Sequence, residues 1–226
     1  MRVAVIRFPG ANCDQDALHA LRDDLEIAAE YVWHGDSNLA GFDGVFVPGG
    51  FSFGDYLRCG AIASRSPIMA EVIRLAKLGR PVIGACNGFQ ILCESGLLPG
   101  ALMRNLAQKF ICHDVHLQPG TTRGRWLQSV NGVTVRFPIA HGEGRYVIDG
   151  DDLKAIQDGD QIAFRYADAH GNVHESANPN GSADNIAGVI NPDGNVLGLM
   201  PHPERAMRPS FGYGDGALLL RGFLHG

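Results

Sequence analysis

The sequence predicts an α/β fold: an open, mostly parallel central sheet flanked by helices, with additional antiparallel or mixed strands in the second half. Three observations predict it. Up to residue 96, short apolar runs alternate with amphipathic helical runs. The connections between them are short. Beyond residue 110 the runs become strand-like and are separated by turn residues. The chain has 226 residues, 45% apolar and 19% charged, which fits one globular domain spanning 1–226.

Each element follows from its own pattern. RVAVIRF (2–8) is a buried first strand. Asn12 is placed to cap a helix whose apolar positions are Ala17, Leu18, Leu21 and Leu25. AAEYVWH (28–34) and GVFVPGG (44–50) are the second and third strands, the latter ending at Pro-Gly-Gly. PIMAEVIRLAKLG (67–79) opens with Pro and closes with Gly, the asymmetry of a helix. PVIGA (81–85) is a fourth strand, and NGFQILCESG (87–96) is a helix directly behind it. In the second half, segments 110–118, 133–141, 160–168 and 172–178 are strand-like. Residues 186–200 form a hairpin around Pro192-Asp193-Gly194, and 214–224 a closing helix.

Composition removes several function classes. Nineteen basic against twenty-four acidic side chains give a net charge of −5, so the chain as a whole does not attract nucleic acid. No apolar run reaches the ~18 residues of a membrane span, and the apolar start ends in Pro-Gly without a secretory cleavage pattern. Five irregularly spaced cysteines fit a reducing, cytoplasmic setting.

Gly84-Ala85-Cys86-Asn87-Gly88 carries the chemistry. An apolar strand runs into Cys86 and a helix leaves at once, with glycines two before and two after. That is the spacing of a nucleophile elbow. It puts the sulfur at the carboxyl end of the sheet and at a helix N-terminus, whose field favours thiolate. The Asn87 N–H then faces an oxygen on the attacked atom. The plain alternative is a small buried cysteine ahead of a helix.

A thiol nucleophile needs a base and the base an orienter. In Pro201-His202-Pro203-Glu204, a residue before proline is extended, so His202 and Glu204 project to one side. The carboxylate can hold one imidazole nitrogen while the other faces the thiol. The alternative is a polar turn between prolines. Cys112, His113 and His116 do not converge on a strand, and no metal is expected. Cys13 and Cys59 adjoin glycine-rich turns that can bring them near the site, but no pattern makes them nucleophiles, and Cys93 falls in the core. His19 falls on a helix surface.

The GACNGFQ (84–90) and PHPE (201–204) segments together resemble the class I (triad) glutamine amidotransferases. VAVIRFPGANCDQD (3–16), VPGGFSFGDYLRCGAIA (47–63), PIAHGEGRY (138–146), NPNGS (178–182) and GLMPHPER (198–205) resemble, more narrowly, the small glutaminase subunits of phosphoribosylformylglycinamidine synthases. The resemblance spans essentially the whole chain and implies a flavodoxin-like sheet. It implies Cys86, His202 and Glu204 as a catalytic triad and the N–H groups of Gly50 and Asn87 as an oxyanion hole. It also implies Gln90, His141 and Gly142 as residues that bind the substrate glutamine. There is no G-x-x-x-x-G-K-[ST] loop, so no cofactor is expected on this chain. The resemblance places ATP and Mg2+ on a large synthase subunit, with a small third subunit completing the complex. No role attaches to 119–128.

Three other readings share parts of this pattern. Another triad amidotransferase subunit lacks a reason for PGGFSFGDYLR, and a cysteine peptidase lacks one for Gln90 and PHPE. A non-enzymatic protein of related fold lacks a working base.

Overall fold

The computed structural model describes residues 1–212 and 214–225. The first half alternates as expected. It contains β1 (Arg2–Arg7), α1 (Asp14–His19), β2 (Ala28–Trp33), β3 (Gly44–Val47), α2 (Ile68–Lys77), β4 (Val82–Ala85) and α3 (Asn87–Glu94). A π-helical turn, Ala20–Asp24, continues α1. The second half holds β5 (Ala101–Met103), β6 (Ile111–Pro119), β7 (Val135–His141), β8 (Arg145–Val147), α4 (Gly150–Asp158), β9 (Ile162–Ala167), β10 (Ile186–Ile190), β11 (Val196–Leu199) and α5 (Asp215–Leu220).

Nine strands form one sheet in the order β2-β1-β3-β4-β11-β10-β9-β6-β7. The pairs from β2 to β11 are parallel and those from β11 to β7 antiparallel. The antiparallel strands therefore extend the parallel core edge to edge. Strands β5 and β8 pair separately. Period-two alternation divides the core between the two faces. Val3, Val5 and Ile83 join α1, α5 and Trp126 on one face. Ala4, Ile6 and Val82 join α2, α3 and Ile156 of α4 on the other.

Some expectations change. Asn12 does not cap α1; Cys13 occupies the cap position, and Asn12 Oδ1 accepts from its thiol. Segment 172–178 is not a strand, because Asp168 gathers the N–H groups of His170 and Asn172 into a turn and a short 3-10 turn follows at Glu175–Ala177. Helix α4 had no visible signal because it buries only Ile156, but Asp149 caps it by accepting from Asp152 N. The stretch 119–128 is structural. The Trp126 ring is fully buried and its Nε1 donates to Asn195 O at 3.0 Å. Arg125 donates to the carbonyls of Gly222 and Phe223 beyond α5.

Candidate active site

Strand order locates the site. From β1 the chain moves outward to β2, then returns to β3 on the other side. That reversal opens a crevice at the carboxyl ends of β1 and β3. The loops after these strands meet there. Phe51 N donates to Gly10 O at 3.1 Å, and Cys13 N to Gly49 O at 3.4 Å.

Cys86 sits between β4 and α3 at φ 52, ψ −111, a conformation an L-residue adopts only at some cost. Its neighbours enforce it. Cys86 N donates to Leu199 O of β11 at 2.8 Å. A Cβ on Gly88 would run into Val47 O, and one on Gly84 would lie 2.6 Å from the Gly88 carbonyl carbon. Glycine is thus required at both positions for strand and helix to approach. The elbow expected from spacing is present.

His202, the expected base, follows β11. His202 N donates to Pro138 O at 2.9 Å, which fixes the segment against β7. His202 Nδ1 lies 2.6 Å from Glu204 Oε1, and both side chains are buried. The chain turns into a 3-10 turn at Pro203–Arg205, so the pair meets through a turn and not through continued extension. Burial opposes charge on the His202 ring, but Glu204 and the nearby Cys86 and Cys13 sulfurs outweigh it and hold its pKa well above the ordinary value. Nε2 of His202 is buried without a hydrogen-bond partner.

Cys86 and His202 line one cavity of about 160 Å³. Asn12 and Cys13 close it from the β1 loop and Gly50 and Phe51 from the β3 loop; Phe110, Ala140 and Arg205 complete the wall. Larger clefts exist, of about 580 Å³ beside Asn178 and Asn180 and about 510 Å³ beside Asp16 and Arg208. Neither contains Cys86, so size does not mark the site here. The β3 loop threads close to Cys86 and His202: a Cβ on Gly49 would lie 2.8 Å from His202 Cε1 and 3.2 Å from Cys86 Cβ. Gly50 has φ +130 and sits against Ala11 and Asn12. The Asn87 N–H belongs to the first turn of α3, where no intrahelical acceptor exists. Its side chain accepts from Ser52 N and donates to Gln90 Oε1.

Gln90, His141 and Gly142 lie outside the cavity wall. Both ends of the Gln90 amide are engaged, with Nε2 donating to Glu143 O at 2.6 Å. Asn105 holds the other two. Its Nδ2 donates to Lys109 O and His141 O, and its backbone N to Gly142 O. With both amide hydrogens spent on carbonyls, Asn105 Oδ1 can only accept, and it does so from Gly144 N and His141 Nδ1. His141 therefore carries its proton on Nδ1. Burial, then the proximity of His202, pushes its pKa down to about 4. Asn180 supports the same segment by donating to Gly144 O.

Cys13 lines the cavity, as its glycine-rich turn led one to expect, and the strand order supplies the reason: it follows the strand at which the order reverses. The reach of Asn105 and Arg205 into this region was not legible from local pattern.

Residues 1–212 match the family described as the CobB/CobQ-like glutamine amidotransferase domain. The chain belongs to this family. A glutamine amidotransferase site accounts for the elbow and the buried His202–Glu204 pair in one chain. Among similar proteins, "Phosphoribosylformylglycinamidine synthase subunit PurQ" of Thermomicrobium roseum is 52% identical over 225 residues, covering 99% of this chain and 95% of that protein. The solved "Structure of PurLQS from Thermotoga maritima" contains a chain that matches with TM-score 0.86 and 41% identity, covering 99% and 97% of the two chains. A "putative gmp synthase subunit a" from Thermoplasma acidophilum superposes with TM-score 0.64 at 14% identity, with coverage of 99% and 92%; that likeness concerns the fold alone. No helix among the described residues is long and apolar enough to cross a membrane.

Proposed function

We propose that this glutamine amidotransferase is the glutaminase subunit of a phosphoribosylformylglycinamidine synthase. It hydrolyses glutamine and supplies ammonia for the ATP-dependent conversion of formylglycinamide ribonucleotide to the amidine in purine biosynthesis. The supporting observation is the strained Cys86 elbow sharing one small cavity with His202 and its Glu204 partner, in a chain half identical to a protein of that name.

In this reading Cys86 attacks the side-chain amide carbon of glutamine as a thiolate, its proton already held on the His202 imidazolium. The N–H groups of Gly50 and Asn87 receive the oxyanion, a contribution typically worth on the order of 100-fold or more in rate per donor. His202 then protonates the leaving ammonia, and the carbon–nitrogen bond breaks to leave a glutamyl thioester. Water, deprotonated by His202, attacks the thioester; glutamate leaves and the thiol returns. Glu204 stabilises the imidazolium and fixes its tautomer. Gln90, and His141 and Gly142 of the PIAHGEG segment that Asn105 holds in place, meet the amino-acid end of the substrate.

The ATP and Mg2+ sites belong to a large synthase subunit, with a small third subunit in the assembly. The likeness to a chain of the Thermotoga maritima PurLQS structure supports a complex of this kind. The setting is cytoplasmic. The test is reconstitution with the large and third subunits, ATP, Mg2+ and formylglycinamide ribonucleotide. Glutamine should support amidine formation only when this chain is present with Cys86 intact, while ammonium works without it. Ammonium-dependent synthesis that glutamine never supports would reassign the chain to another acceptor.

A further inference from the structure

One directed chain of hydrogen bonds joins the proposed oxyanion hole to the Gln90 end of the site. Ser52 N donates to Asn87 Oδ1 at 3.3 Å, Asn87 Nδ2 to Gln90 Oε1 at 2.8 Å, and Gln90 Nε2 to Glu143 O at 2.6 Å. Ser52, Asn87 and Gln90 are all buried. Both ends of the chain are backbone groups of fixed polarity: an N–H only donates and a carbonyl only accepts. They dictate which way both carboxamides face, and neither can flip without setting oxygen against oxygen or hydrogen against hydrogen. Bonds aligned in this way polarise one another. At its far end the chain reaches the 141–144 segment that Asn105 holds. At its near end it reaches a loop in need of support. Ser52 is two residues from Gly50, and positive φ at Phe53, Asp55 and Leu57 leaves the backbone that follows off its preferred conformations. Bonds from Phe51 N to Gly10 O and from Cys13 N to Gly49 O fix the loop on the β1 side. Asn87 supplies the tie on the α3 side.

We propose that Asn87, through its carboxamide, is a positioning residue that ties the Gly50 N–H to Gln90, so that the oxyanion donors and the grip on the amino-acid end of glutamine set as one unit. The inference rests on the glutaminase reading above. A glutamine seated at Gln90 fixes the Gln90 amide. Asn87 passes that constraint to Ser52, and Gly50 meets the oxyanion already in place. An amide without the amino-acid end leaves the chain unconstrained and gains less from the oxyanion hole. Asn87 thus gives the site selectivity in kcat as well as in binding.

The experiment uses the assembled synthase and follows glutamate release. Asn87→Ala keeps the backbone N–H and removes the tie. Asn87→Asp keeps the size and the acceptor but cannot donate to Gln90. Each, checked for native circular dichroism, should lower kcat for glutamine, by up to the ~100-fold that loss of a whole oxyanion donor costs, and leave KM nearly unchanged. Alkylation of Cys86 by iodoacetamide, read by mass on the Cys86 peptide, needs no oxyanion hole and should keep its rate. In a Gln90→Met background the chain is already cut, so Asn87→Ala should cost less of kcat there than it does alone. A kcat loss equally large in both backgrounds, a rise in KM alone, or alkylation that falls in step with kcat overturns the inference. Glutamate release without amidine formation changes the acceptor and leaves the coupling standing. An unsubstituted assembly that releases no glutamate fails on the function, and the coupling falls with it.

Discussion

In the proposed mechanism Glu204 acts only through His202, to which it is bonded, and the two should not be equally costly to lose. His202→Ala should lower glutamine turnover on the order of 10⁶-fold and Glu204→Gln on the order of 10⁴-fold. Equal losses in steady-state glutaminase assays of the assembled enzyme would break this division of labour. His141 offers a stability test. Its ring is buried and neutral, with its pKa pushed from the ordinary 6.5 to about 4. At pH 7 neither folded nor unfolded chain holds a proton there. Between pH 6.5 and 4 the unfolded chain takes a proton that the folded chain refuses, so stability falls as pH falls. The full effect is about 3 kcal/mol. Urea unfolding across that range should show it, and His141→Gln should remove most of it. Cys86 and the His202–Glu204 pair were legible in the sequence because each sits in a short motif whose spacing carries its geometry. Asn105 was not, because its partners lie 36 positions away.

At the scale of elements, the elbow depends on β3, β4 and α3 approaching to within backbone contact. Gly88→Ala would drive a methyl group into Val47 O. It should cost several kcal/mol, about the upper range for single changes, and move Cys86 off its conformation. Gly150, at the start of α4, meets nothing within 4 Å and has no positive φ. Gly150→Ala should therefore stabilise by about 0.4–1 kcal/mol. Denaturant midpoints of the two variants should move in opposite directions. The same contrast explains which elements the sequence announced. Strands β3 and β4, and β1 between its terminal arginines Arg2 and Arg7, are apolar because the sheet buries both their faces. The β10–β11 hairpin was announced by its turn residues, with Gly194 at φ +73. Helix α4 and strands β5 and β8 are too short or too exposed to impose a period, and the turn near Asp168 looks strand-like until its hydrogen bonds are known.

Over the whole molecule, Trp126 joins distant parts of the chain. It donates to Asn195 at the start of β11 and meets the Phe223 ring edge-on, with centroids 5.0 Å apart. Trp126→Ala should cost about 3–5 kcal/mol. Amide exchange in α5 should rise more than in α2, which packs on the opposite face of the sheet. The sequence could not reveal this clamp, since 119–128 has no periodicity and its partners come from the far end of the chain. The sheet order has a mechanical consequence for the site. Cys86 and His202 issue from adjacent strands, β4 and β11, with the Cys86-to-Leu199 bond between them. Their separation is a stiff member, since stretching it means tearing the sheet. The loop beyond Gly50 hangs on turn hydrogen bonds, Phe53 N to Pro9 O and Gly54 N to Phe51 O, in place of a ladder. Phe53, Asp55 and Leu57 bend it through positive φ, and Tyr56 and Leu57 project into solvent. A force applied at that loop would bear on Gly50 before it bore on the Cys86–His202 spacing. In the proposed mechanism it would act as a throttle on the stabilisation of charge and leave the machinery of proton transfer in gauge.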